Sequence, residues 1–255
     1  MTVNWNNRPA PGWGAADDNW SYGSSHRVRL LTDGLARQPK HDLASVASAM
    51  NAAATQDLRN VQLVPTLTSL LNGVAAPSPR AARMLALLQG WLATGSSRLD
   101  RDLDGLMDAG PAPAIMDALY PKLYDAVLGP ALGNQLGALK DFEGATGGPG
   151  SGFTGGGLWY IDKDLRTLLG QKFRDPFSTK FCGTRARCAA VVWAAIEAAG
   201  NDLAAKQGPD PDAWKSDANA ERIQFQPGLL PTTIRYTNRP SGIQQVIEFT
   251  GHRKR

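Results

Sequence analysis

The sequence predicts an α+β protein, predominantly helical, with strands at both ends of a helical insert. Two observations carry this. From about residue 31 to residue 215, apolar side chains recur at the spacing of one helix face. Beyond that the period changes: Ile223 and Phe225, Ile234 and Tyr236, then Ile243, Ile247 and Phe249 alternate with polar neighbours, as residues of half-buried strands do. At the other end Val3 and Trp5 share a strand face, and the Trp-, Asn-, Gly- and Asp-rich stretch to residue 30 reads as a strand and a long loop. The chain is thus one region: 1–30 strand and loop, 31–215 helical layer, 216–255 returning strands.

Within the helical layer, Leu43, Val46, Ala47, Met50 and Ala54 mark one face of a first helix. Val64 to Leu71 forms the next, ended by Asn72-Gly73. Ser78 followed by Pro79 is an N-cap with proline at the first helical position, and Met84, Leu85, Leu88, Trp91 and Leu92 supply the buried stripe behind it. Ala114–Leu128 and Leu132–Phe142 are further helices, punctuated by Gly110-Pro111 and Gly129-Pro130. Residues 144–157 are too glycine-rich for regular structure and read as an exposed loop. A short helix over Asp162–Leu169 precedes the longest one, Cys188 to about Ala205, whose Cys188, Val191, Val192, Ala195, Ala199 and Leu203 form the packed side. Asn7-Arg8-Pro9 recurs as Asn238-Arg239-Pro240, but the flanking residues do not match and no repeat is implied.

Composition narrows the function. With 42% apolar and 20% charged residues, the chain is neither disordered nor fibrous. Its length supports a sizeable core without staples. The longest apolar run, Cys188–Ile196, is far short of the roughly 20 residues that cross a bilayer, so no span is expected. The first residues lack the basic and apolar regions of a signal peptide. The net charge of +4 falls partly in the tail Arg253-Lys254-Arg255, and the other charges read as scattered; nucleic-acid binding is not expected.

Few residues offer chemistry. His26, His41 and His252 are the histidines available to a catalytic triad, and none stands in a nucleophile-elbow context; they read as surface or capping residues. Gly150-Ser151-Gly152-Phe153-Thr154-Gly155 matches a dinucleotide fingerprint in letters but follows a helix, and no phosphate-loop lysine follows any glycine run. Cys182 and Cys188 flank a short loop. They form either a structural disulfide, which implies an oxidising compartment, or two reduced packing cysteines. Asp100, Asp102 and Asp104 alternate before Gly105, a spacing with which a turn can aim oxygens at Ca²⁺. Pro111 occupies the twelfth position, so the closing glutamate of an EF-hand is missing. A structural calcium site and a solvated acidic loop are both open.

The opening Asn4-Trp5-Asn6-Asn7-Arg8-Pro9-Ala10, then Asp17-Asp18 and Tyr22-Gly23-Ser24-Ser25-His26-Arg27-Val28, resembles the penicillin acylase family of N-terminal-nucleophile hydrolases. So do Asp57 with Leu63-Val64-Pro65-Thr66-Leu67, the cysteine pair, and the ending from Tyr236 to Phe249. The resemblance spans the whole chain and is strongest to secreted members that carry the cysteine pair and the acidic loop.

This resemblance implies a partial αββα fold and a self-cleaving precursor whose large subunit begins with a serine that is its own base. It implies hydrolysis of N-acylated small molecules: penicillins, cephalosporins or acyl-homoserine lactones. It makes Asn6 the side-chain donor of the oxyanion hole, worth about 10²–10³ in rate for donors of this kind. It makes Arg27 a cation that fixes the asparagine and the serine terminus, and Asp17 a calcium ligand, with Asp18 beside it as the alternative register. In the family the nucleophile lies far upstream of the W-N-N motif. The serine, most of the acyl pocket and the small subunit are therefore expected on sequence outside these residues. The chain alone is expected to be inactive, and the full-length protein extracellular or periplasmic. The competing expectation is a catalytically inactive structural or interaction fragment of the same fold.

Overall fold

A computed structural model of the chain describes residues 3–5, 7–8, 10, 12–13, 26–144, 156–218, 222–224, 233–235, 246–247 and 251. Among these the molecule is predominantly helical. The helices are α1 (His26–Leu35), α2 (Leu43–Thr55), α3 (Leu58–Leu71), α4 (Pro79–Ala93), α5 (Ala112–Leu132), α6 (Gln135–Gly144), α7 (Gly156–Leu168) and α8 (Arg185–Gln207). A 3₁₀ turn at Pro211–Ala213 follows, then β1 (Arg222–Gln224) and β2 (Thr233–Arg235).

The starts of these helices follow from local chemistry. Asp42 accepts from the Ser45 backbone N–H at 2.7 Å while the Ser45 hydroxyl accepts from the Asp42 N–H at 2.9 Å, a reciprocal cap for α2. Ser78 caps α4 through the Ala81 N–H, with Pro79 at the first position, as the sequence predicts. Asp57 caps α3 through the Arg59 and Asn60 N–H groups, so α3 begins six residues before the expected Val64 and carries Pro65 inside it. His41 closes the end of α1: its Nε2 donates to the Leu35 carbonyl at 2.8 Å.

Two expected boundaries move. α5 runs through Gly129-Pro130 to Leu132 and ends at Gly133, whose φ of 50° is the left-handed conformation that glycine adopts at least cost. α7 begins inside the glycine-rich stretch, where Gly157 lies against the Tyr124 ring of α5 and leaves no room for a Cβ. α1 itself opens at His26, within the stretch expected to be loop.

The core lies between α3, α4, α5 and α8. Leu63, Leu67 and Leu70 of α3, Met84 and Leu88 of α4, and Ile115, Leu119 and Leu123 of α5 are fully buried, and so are Val192 and Ile196 of α8. The α5–α8 pairing is the most extensive in the fold. Among the described residues α8 is also the one helix long and apolar enough to cross a bilayer. Here its apolar face is the core contact, and Glu197, Asn201 and Asp202 lie along it, with Glu197 and Asp202 in ion pairs to Arg80 and Lys122.

β1 and β2 pair antiparallel, with Ile223 opposite Ile234. This agrees with the expected returning strands. The third, around Ile243 and Phe249, lies outside the described residues except for 246–247, which are not strand. Of the expected N-terminal strand, the described residues show an isolated bridge at Asn7 rather than a ladder.

Candidate functional site

The N-terminal segment meets the helices at the start of α1. Trp5 and Arg27 are both buried, and the Arg27 guanidinium carbon lies 5.3 Å from the Trp5 ring centroid. A guanidinium over an indole face is a favourable, directional contact. It ties the W-N-N stretch to α1 across 22 positions of sequence. Within that stretch Asn7 is occupied in the turn: its Oδ1 accepts from the Trp5 N–H at 2.9 Å, and its Nδ2 donates to the Arg8 carbonyl at 3.1 Å. Asn6 and Asp17 lie outside the described residues, as does His252.

His26, next to Arg27, faces α7. Its ring stacks on Trp159 with centroids 4.0 Å apart and planes inclined by 12°. Its Nε2 is 3.8 Å from an oxygen of Asp162, a carboxylate only 2% exposed. Asp162 also accepts from Gln62 Nε2 at 2.9 Å and Thr66 Oγ1 at 3.3 Å, both on α3, and from Arg166 Nη1 at 3.0 Å. Burial opposes its ionisation, but the donors from His26, Arg166 and Gln62 outweigh that and hold its carboxyl below the usual carboxylate range. One buried carboxylate thus joins α1, α3 and α7. A cavity of about 300 Å³ opens beside it, lined by His26, Arg29, Leu30, Gln62, Thr66 and Arg166 among others. The order of groups is wrong for a triad: the carboxylate stands between Thr66 and His26, whereas nucleophilic activation needs the imidazole in the middle.

A second buried carboxylate, Asp57, organises the other side of α3. Beyond capping the helix it accepts from Arg59 Nη2 at 2.5 Å and Arg98 Nη1 at 3.0 Å. Both guanidiniums also reach Asp117, Arg59 at 2.7 Å and Arg98 at 3.0 Å. Burial raises the Asp57 carboxyl, yet Arg59 and Arg98 bring it below its ordinary value; burial likewise opposes the charge on Arg59, but Asp57 and Asp117 outweigh it and push the guanidinium higher.

The acidic loop folds on itself. Asp100 Oδ2 accepts from the Gly105 N–H at 3.2 Å, Asp102 from the Asp104 N–H at 3.3 Å, and Asp108 from the Arg101 N–H at 3.0 Å. Leu103 and Gly105 take left-handed conformations, which reverse the chain. The carboxylates that converge, with oxygens within 4.8 Å of one another, are Asp100, Asp102 and Asp108. Asp104 is not in that group; its Oδ1 accepts from the Leu106 N–H at 2.7 Å. Three hard oxygens suit Ca²⁺, which takes six to eight. Each of the three carboxylates also already holds a backbone N–H. Cys182 and Cys188 form a disulfide, both sulfurs buried, so of the two readings of the pair the structure has the cross-link.

Two features had little signal in the sequence. Asp162 lies in an ordinary amphipathic helix, and its donors come from as far away in sequence as Gln62 and His26. Asp57 was visible as part of a motif, but its partners Arg98 and Asp117 were not.

A sequence model of the penicillin amidase family matches residues 1–252. In three dimensions the chain is similar to a thermostable penicillin G acylase from Alcaligenes faecalis, with a TM-score of 0.62 and 21% identity over 97% of this chain and 41% of that one. The chain therefore spans less than half the length of that acylase, and the likeness at this identity is one of fold. Since the family's sequence pattern runs through almost all of it, the chain belongs to the penicillin amidase family.

Proposed function

We propose that this chain is the C-terminal part of the large subunit of an amidohydrolase, one that cleaves the amide bond of N-acylated small molecules of penicillin, cephalosporin or acyl-homoserine-lactone type. The nucleophile would be an N-terminal serine supplied by sequence outside these residues, and the remaining partners the rest of the large subunit and a small subunit. The single observation that supports the reading is the buried Trp5–Arg27 contact, which joins the two motifs expected to form the active-site edge.

In this mechanism the serine oxygen attacks the amide carbon, the serine's α-amino group takes the hydroxyl proton and hands it to the leaving amine, and water then hydrolyses the acyl-enzyme. The tetrahedral intermediate concentrates negative charge on the former carbonyl oxygen. Asn6 donates its side-chain N–H to that oxygen. Arg27, charged at every relevant pH and clamped by Trp5, orients Asn6 and the serine terminus. The Asp162 constellation holds the first turn of α1, and so holds Arg27 in register. A calcium ion would be held by Asp100, Asp102 and Asp108, and its work would be to stiffen that loop; the resemblance adds Asp17 or its neighbour as a further ligand.

Asn6→Ala in the assembled enzyme is expected to lower kcat by about 10²–10³ with little change in KM, the signature of a contact made only in the transition state. An unchanged kcat on the amide substrate refutes the assignment. Full activity of this chain without any partner refutes the division of labour.

A further inference from the structure

The chain's basic residues are not evenly placed along its sequence. Residues 156–187 hold seven basic side chains against three acidic ones, an excess equal to that of the entire chain. Two of the three acids, Asp162 and Asp164, are buried, which leaves Asp175 as the exposed carboxylate of the stretch. Lys172, Arg174, Lys180, Arg185 and Arg187 are all exposed, and among the described residues none of them forms an ion pair. Arg185 instead reaches across to the Ser69 carbonyl of α3 at 3.2 Å.

The segment that carries these cations is held in shape. The Asp164 carboxylate accepts from the Phe181 N–H at 2.9 Å and the Cys182 N–H at 3.0 Å, and the Cys182–Cys188 disulfide fastens the end of the loop to the first turn of α8. Beneath the loop Tyr160, Phe177 and Phe181 pack edge to face, with Phe177 and Phe181 centroids 5.1 Å apart. Lys163 lies 4.2 Å from the Phe177 centroid and donates to the Asp175 carbonyl. Tyr160, 41% exposed, brings an amphipathic ring to the rim. A flexible tail can gather charge by accident of composition, but this loop, with Lys172, Arg174 and Lys180 exposed along it, is fastened at Phe181 and Cys182 and runs directly into the α8 turn that carries Arg185 and Arg187.

We propose that this stapled basic face docks on an anionic lipid bilayer. Charge complementarity sets the sign of the partner: unpaired cations on a rigid surface are attracted to a dense array of negative headgroups within a Debye length. The rings argue against a nucleic acid, because their faces are already taken by one another and by Lys163, so bases have no platform on which to stack. A half-exposed tyrosine at the rim suits the headgroup level of a bilayer. The docking is peripheral, through headgroups, and needs no inserted helix.

The test is co-sedimentation of the full assembled protein with vesicles of phosphatidylcholine containing about 30% phosphatidylglycerol, at about 50 mM salt. Binding is expected there, and is expected to fall away at about 0.5 M salt and with pure phosphatidylcholine. The double variant Lys172→Gln/Arg174→Gln touches exposed residues without ion pairs and should fold normally; its partition coefficient should fall by about 25-fold, five-fold per cation. Arg37→Gln/Lys40→Gln removes the same charge from the α1–α2 turn and should bind nearly as the parent does. Absence of binding to the anionic vesicles, or equal weakening by both double variants, overturns the proposal. So does tighter binding of a single-stranded oligonucleotide that the Lys172/Arg174 variant abolishes, an outcome that would assign the face to nucleic acid.

Discussion

Substitution of Asp57 by asparagine is the sharpest test of how this helical layer holds together. The aspartate is fully buried and accepts five hydrogen bonds: two cap α3, and three come from the guanidiniums of Arg59 and Arg98, whose side chains are 4% and 1% exposed. An asparagine Oδ1 can keep the two cap bonds. Its Nδ2, however, would face Arg59 Nη2 and Arg98 Nη1, donor against donor, and the two buried cations would be left to share the single charge of Asp117. Removing one partner from a buried ion network costs about 3–5 kcal/mol, because the remaining charge is desolvated without compensation. For a chain of this size 1 kcal/mol shifts Tm by about 2 °C, so Asp57→Asn should lower Tm by about 6–10 °C at neutral pH. Asp57→Ala also loses the cap and should cost about 1 kcal/mol more. The assay is thermal unfolding followed by far-ultraviolet circular dichroism. Acid gives an independent check. The Asp57 carboxyl is depressed in the folded state, so its contribution is complete above the ordinary value of 3.8 and is lost as pH falls through the lower folded value. The parent should therefore lose stability more steeply than Asp57→Asn below about pH 4. A Tm change of less than about 2 °C in Asp57→Asn would refute the reasoning, since it would mean the arginines are not desolvated.

Three further outcomes follow from the same physics. Asp162→Asn should destabilise by about 2–4 kcal/mol and loosen α1, read as faster hydrogen exchange over its first turn; unchanged exchange there would remove the argument that Asp162 holds Arg27 in register. Replacing Cys182 and Cys188 together by serine opens a loop of only about seven residues and should cost about 2 kcal/mol. A larger loss in a melting experiment would show that the cross-link does more than restrict the unfolded chain. Chelation of calcium should lower the Tm of the assembled protein if the Asp100–Asp102–Asp108 loop binds it, whereas an unshifted Tm would leave the loop to its own N–H bonds.

The sequence was most informative where structure is local. Ser78-Pro79 predicted the start of α4 to the residue, because a cap is decided by four neighbouring backbone groups. The returning strands at Ile223 and Ile234 were readable for a similar reason, since alternation is a property of single segments. Gly129-Pro130 misled: it lies in the last turn of α5, and the helix runs on to Leu132 although Pro130 has no N–H to offer the Ala126 carbonyl. Spacing also misled at the acidic loop. Asp100, Asp102 and Asp104 alternate, but the left-handed turn at Leu103 sends Asp104 to the Leu106 N–H and brings in Asp108. What no local pattern could show was assembly over distance. Arg98 joins Asp57 from 41 positions away, and Asp117 meets Arg59 from 58. The basic face was hidden in a different way: its acids are present in the sequence, and only the fold buries them.

On the proposed function, these residues form one part of a catalytic subunit whose nucleophile lies elsewhere. The most direct test is to purify the protein from its native source and identify, by intact mass and N-terminal sequencing, what accompanies this chain. The chain is expected to come with tightly associated or contiguous sequence that begins with a free serine, in an assembly that hydrolyses an N-acyl amide and loses that activity with Asn6→Ala. A chain that purifies alone, well folded and without any such serine-initiated sequence, would contradict it and reduce the amidase reading to shared ancestry.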